Sequence, residues 1–166
     1  IDDVTPNVWE EAYGTGLGTG INTVAGSSAG AGIEYTPNML PDGLTARIAY
    51  SPNVAGSNAA DKGSAGGGSA SPESSGYDLT LSVTDALHGV AGLSVDVGIA
   101  EIEQYQDASS VTGDQDEETL AIKYAAGGFT IGYQWSEEDL GTNTGAQKYE
   151  NDAWGITFNV NDDLSI

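Results

Sequence analysis

The sequence predicts an all-β fold, an antiparallel meander forming part of a transmembrane β-barrel with short periplasmic turns and long external loops. Three observations lead there. Short stretches alternate apolar with small polar residues, the connections between them alternate short and long, and aromatic residues gather near the ends of the apolar faces. In residues 129–135, Phe129, Ile131, Tyr133 and Trp135 share one face while Thr130, Gly132 and Gln134 share the other. A strand points successive side chains to opposite sides, so this period of two makes a ribbon apolar on one side and wet on the other.

Composition narrows the class. The chain has 166 residues, enough for one domain, of which 39% are hydrophobic and 24 are Gly. No apolar run approaches the roughly 18 residues of a membrane helix, and nothing after Ile1 has the basic and apolar regions of a signal peptide. The absence of Cys excludes a disulfide framework and thiolate metal sites. Twenty-five acids against four bases, a net charge of −21, argue against nucleic acid as a partner, because phosphates are bound by Lys and Arg. Such an acidic surface suits a salty exterior where divalent cations are abundant.

Residues 1–26 have no clear period, are rich in Gly and carry Asp2, Asp3, Glu10 and Glu11; they read as a long loop. The alternation begins in residues 27–37, where Ala29, Ala31, Ile33 and Tyr35 oppose Gly30, Gly32, Glu34 and Thr36. Pro41, Asp42 and Gly43 then turn the chain. A second strand sets Leu44, Ala46, Ile48 and Tyr50 against Thr45, Arg47, Ala49 and Ser51. Residues 52–76, dominated by Gly, Ala and Ser, cannot bury enough apolar surface to pack as a unit and form a long loop. In the third strand Tyr77, Leu79, Leu81 and Val83 oppose Asp78, Thr80, Ser82 and Thr84, and after residues 85–92 the fourth sets Leu93, Val95, Val97 and Ile99 against Ser94, Asp96 and Gly98. Glu101 and Glu103 continue the apolar phase, so either a bulge near Ala100 resets the register or the strand has left the apolar layer.

An acidic loop over 107–118 precedes the fifth strand, with Leu120, Ile122 and Tyr124 against Ala121 and Lys123. A tight hairpin at 126–128 leads into the sixth. After a loop over 137–151, the seventh sets Trp154, Ile156, Phe158 and Val160 against Gly155, Thr157 and Asn159; residues 161–163 turn it, and 164–166 start an eighth. One rim is therefore trimmed and the other is not, as in transmembrane barrels.

The same apolar face could line a secreted or cell-surface acidic β-sandwich acting as a binding or adhesive module, with Trp9, Trp135 or Trp154 as its platform. Three features favour the membrane. The polar face is mostly Gly, Ser, Thr, Ala and Asn, with only Glu34, Arg47, Asp78, Asp96 and Lys123 charged. Tyr35, Tyr124 and Phe129 lie at the short-turn end and Tyr50, Tyr77, Trp135 and Trp154 at the long-loop end, flanking an aliphatic middle; only Tyr133 and Phe158 fall nearer mid-strand. Finally, apart from Glu101 and Glu103 no charge falls at an outward position. Ile33, Ile48, Leu81, Val97, Ile122, Ile131 and Ile156 are then expected to face lipid, with Thr80, Ser82, Thr130 and Thr157 toward a lumen.

The run from Tyr124 through Gly127, Gly128 and Phe129 to Gln134, the run from Phe158 to Ile166, and residues 30–37 resemble the hairpins of Gram-negative general diffusion porins, a likeness covering 27–166 as a pattern. The resemblance implies a sixteen-stranded barrel in the bacterial outer membrane, surrounded by lipid and lipopolysaccharide and usually a homotrimer. It implies passive diffusion of small hydrophilic solutes and ions, not catalysis. It also implies an external loop folded inward, for which residues 1–26 are the candidate, with Asp2, Asp3, Glu10 and Glu11 at the constriction and 27–166 as barrel. Ending at Ile166 without a terminal aromatic, and beginning without Met, the chain is expected to be an internal piece of a longer barrel.

Other chemistry has little support. His88, the one histidine, sits in a turn, and a zinc or triad role lacks partners. Thr19 stands where a dinucleotide fingerprint needs its third Gly. No cofactor is expected; the loop acids Asp114, Asp116 and Glu117 could offer oxygen ligands to calcium, though without EF-hand spacing. The excess of Glu34, Asp78, Asp96 and the four loop acids over Arg47 and Lys123 predicts a cation-preferring lining, with the two bases opposing the acidic side.

Overall fold

The computed structural model describes residues 31–53, 75–103, 112–145, 147–161 and 164–165. Eight strands run in chain order, each antiparallel to the next: β1 (Ala31–Tyr35), β2 (Leu44–Asn53), β3 (Gly76–Thr84), β4 (Leu93–Ile102), β5 (Gln115–Ala126), β6 (Phe129–Asp139), β7 (Lys148–Asn161) and β8 (Leu164–Ser165). The connection from β3 to β4 holds a single helical turn, α1 (Asp85–His88). Among the described residues β1 pairs only with β2 and β8 only with β7, so the meander is a wall that does not close.

The distribution of side chains is inside-out. Ile33, Ile48, Leu81, Val97, Ile122, Ile131 and Ile156 are exposed, Ile156 at 66% of its surface, and no second sheet among the described residues lies on them. On the opposite face Thr80, Thr119, Gln134 and Ser136 are buried, Thr119 to 2%. The only buried hydrophobic residues described are Ala100, Ala121 and Ala153, and strand alternation puts all three on this polar face. A sandwich needs its aliphatic face packed against a partner sheet. A water-soluble sheet would not leave its aliphatic side bare and shelter its threonines, whereas a bilayer makes both choices favourable.

Aromatic residues mark where that bilayer would end. Phe129 and Phe158 are directly opposed at the short-turn end, their rings stacked with centroids 4.3 Å apart. Tyr133 lies opposite Trp154 at 4.4 Å. Phe158 and Tyr133, expected nearer mid-strand, thus join the two bands. Long-loop aromatics occupy different levels of the ladder: Tyr50 is opposite Tyr77, whereas Trp154 aligns through Tyr133, Ile122, Val95 and Val83 with Leu44, six residues down β2 from Tyr50. A band level with a membrane surface must descend the ladder in this way when the strands are tilted, as a barrel wall requires.

Strand limits differ from the sequence reading at the long-loop rim. Residues 115–118 and 137–139 belong to β5 and β6, and β7 begins at Lys148, so the ladder continues through the acidic segments read as loops. At Glu101 the register runs unbroken against both neighbours through Ile102, with Ala100 turned to the sheltered face; there is no bulge, and the strand has left the apolar layer. Glu101, Asp116, Glu118, Glu137, Asp139, Glu150 and Asp152 therefore form an acidic collar in the outward phase above the aromatic band. The Tyr77 hydroxyl donates to Glu101 at 3.3 Å and that of Tyr133 to Asp152 at 2.5 Å, so polar tips of the band point into the collar. Lys148 bonds Glu137 at 2.6 Å, an exposed pair that solvent screens.

At the other rim each short turn is tied to the strand beyond it. Gly43, Gly92 and Gly128 carbonyls accept from the backbone of Thr84, Ala125 and Asn159 at 2.8, 2.9 and 2.9 Å. Gly92 must be glycine twice over: its φ is 78°, and a Cβ there would run into the Ala125 carbonyl.

Candidate functional site

Chain order says nothing about which sheltered-face residues stand level with one another; the register does. Successive Cα partners join Glu34, Ala49, Asp78, Ala100, Glu117, Glu138 and Tyr149 into one row across β1 to β7. Four carboxylates thus share a single row on the polar face, separated by two alanines and ended by a tyrosine. In a tilted wall a row perpendicular to the strands climbs obliquely, and this one runs from the level of Tyr50 and Tyr77 at Asp78 to the collar beyond Trp135 at Glu138.

Glu117 and Glu138 are direct cross-strand partners, exposed to only 2% and 3%. Opposed side chains in an antiparallel pair have Cβ atoms about 5 Å apart, so two like charges here repel. Gln115, on the same face two residues before Glu117, bridges them: its Nε2 donates to Glu117 Oε1 at 2.8 Å and Glu138 Oε1 at 2.9 Å. Among the described residues Glu138 Oε2 has no hydrogen-bond partner. Burial first, and the neighbouring Glu117 second, push the Glu138 carboxyl up to about 7. Three residues beyond the Trp135 band and level with outward charges, Glu138 stands outside the membrane-spanning part of β6.

The remaining candidates are placed as follows. Glu34 and Asp78 lie in the row; Asp96 is buried on the same face in another row, between Ser82 and Ala121. Arg47 pairs with Thr80, one row from Asp78, and Lys123 stands between Ser94 and Gly132. Both bases therefore share the wall with the acids, and the described residues do not set them across a lumen from it. Asp2, Asp3, Glu10 and Glu11 lie outside the described residues. Asp114, Asp116 and Glu117 do not converge, because β5 alternation turns Asp116 outward and Glu117 to the sheltered face. Among the described residues no group of three or more His, Cys, Asp or Glu is poised to hold a metal ion. His88 Nδ1 accepts from the Val90 backbone at 3.1 Å, a turn role. Glu138 was missed because it looked like a loop acid, yet it continues the inward phase of Gln134 and Ser136.

A family model described as Gram-negative porin matches residues 1–166, the whole chain. No curated protein matches it. The chain belongs to the Gram-negative porin family, whose place is the bacterial outer membrane.

Proposed function

We propose that this Gram-negative porin forms a water-filled, cation-preferring channel for passive diffusion of small hydrophilic solutes. The observation that carries the preference is the row Glu34, Asp78, Glu117 and Glu138 on the polar face, with no base among its members. Carboxylates lining a narrow aqueous path concentrate cations, and beyond about 8 Å their field is screened at physiological salt, so wall charges outweigh those on distant loops. The family likeness adds a homotrimer, a constriction from residues 1–26 and lipopolysaccharide beside the collar to the same proposal. Reconstitution in a planar bilayer under a salt gradient, with divalent ions chelated, tests it. A reversal potential of cation-selective sign is expected; an anion-selective sign, or no conductance, contradicts the proposal.

A further inference from the structure

Glu138 is a buried acid with one of its two oxygens unmatched. It continues the inward phase of Gln134 and Ser136 beyond the aromatic band and is sheltered there beside Glu117. Gln115 Nε2 donates to Glu138 Oε1 at 2.9 Å and to Glu117 Oε1 at 2.8 Å, so the two carboxyl groups converge on one nitrogen. That donor serves the Oε1 atoms alone. Glu138 Oε2 is left without a hydrogen bond among the described residues, and a buried carboxylate oxygen in that position costs the desolvation of a charge. The ionisable groups facing Glu138 are Glu117 from β5 and Tyr149 from β7; Ala100 of β4 stands beyond Glu117 in the row. Glu117 has a further interaction of its own. The atom that still needs a change of state is Glu138 Oε2.

We propose that Glu138 is a proton-binding residue of the channel wall, which carries its proton on Oε2 and, on giving it up, adds one negative charge to the sheltered-face row, so that cation preference responds to pH. A buried acid that lacks a partner for one oxygen is relieved by becoming neutral, because the neutral form is cheaper to desolvate and is not repelled by Glu117. Gln115 holds the two groups together without removing that preference, since it donates to one oxygen of each. Burial and the neighbouring Glu117, in that order, place the Glu138 carboxyl at about 7. The sign follows: the carboxyl is neutral on the acid side and charged on the alkaline side, about one tenth ionised at about pH 6 and about nine tenths at about pH 8. A glutamate with its ordinary value is ionised throughout that range and gives no such response. The inference rests on the channel reading, because only a row beside a permeation path turns this charge into selectivity.

Infrared difference spectra of the full-length protein in detergent read the proton, and reversal potentials of the same preparation, reconstituted in divalent-free salt, read its consequence. The expected spectrum has a protonated-carboxyl C=O band at about pH 6 that is lost by about pH 8. E138Q should lack that band, and E118Q, whose side chain faces outward, should keep it. Cation preference should rise over the same range in the unaltered protein and stay constant in E138Q, at the level the unaltered protein has at the acidic end. A band that persists in E138Q, or a selectivity response to pH as large in E138Q as without it, overturns the assignment. If E138Q does not fold, E117Q decides: loss of the neighbouring charge should move the midpoint of the band to lower pH, and an unmoved midpoint overturns the pairing. An open cation-preferring channel whose preference is the same across the range defeats the proton site alone. A band that E138Q removes, in a protein that never conducts, defeats the channel reading alone.

Discussion

Arginine at Ile122 is expected to leave little assembled protein in the outer membrane, whereas arginine at Tyr124, two residues along the same face of β5, is expected to be tolerated. Ile122 lies between Val95 and Tyr133 in the aliphatic belt; Tyr124 belongs to the short-turn aromatic band. An outward Arg costs about 2 to 4 kcal/mol at the bilayer midplane and about 0 to 1 kcal/mol near an interface. The difference, about 2 kcal/mol, is roughly a thirtyfold change in the folded ratio. The folded fraction in outer-membrane preparations measures it. A protein core would penalise both positions, so equal loss at both would point away from lipid.

Neutralising the sheltered-face row as E34Q, D78N, E117Q and E138Q together is expected to bring the cation preference close to unity while the channel stays open. Removing as many charges from the collar, as D116N, E118Q, E137Q and E150Q, is expected to change it far less. Those acids face outward, on the other side of the sheet, where lipid headgroups and screening separate them from the permeation path. Reversal potentials of the two variants in divalent-free salt make the comparison. A larger effect from the collar set would mean that selectivity arises outside the wall.

The membrane-spanning parts of the strands were legible because there the two faces differ in kind: aliphatic residues alternate with Thr, Ser, Gly and Ala. Above the aromatic band that contrast vanishes. Glu137 and Asp139 replace apolar residues in the outward phase while Glu138 continues the inward one, so hydropathy reads a loop where the backbone ladder runs on through β6. For the same reason Glu101 left two possibilities open, and only the unbroken pairing with Tyr77 and Asp116 decides between them.

The acidic row was illegible for a different reason. Glu34 and Asp78 were recognisable as lining residues one at a time, but aligning them with Glu117 and Glu138 needs the register across long connections whose lengths do not set it. A slip of one residue would turn every side chain of a strand to the other face. The same parity separates two of the calcium candidates: Asp116 and Glu117 are neighbours in sequence and therefore lie on opposite faces of β5. His88, read as a turn residue, has that role.

Thiol labelling tests most directly whether the aliphatic face meets lipid and the polar face meets water. Residues 1–166 contain no Cys, so single cysteines at Thr130, Ile131, Ile156 and Thr157 can each be introduced without a competing thiol in this stretch. Thr130 pairs with Thr157 on the sheltered face and Ile131 with Ile156 on the exposed one. In intact outer membranes, a small charged thiol reagent is expected to modify the cysteines at 130 and 157 and to spare those at 131 and 156, which a lipid-soluble reagent should reach instead. Water-phase labelling at 131 and 156, with 130 and 157 protected, would place the aliphatic face in water and contradict the membrane wall.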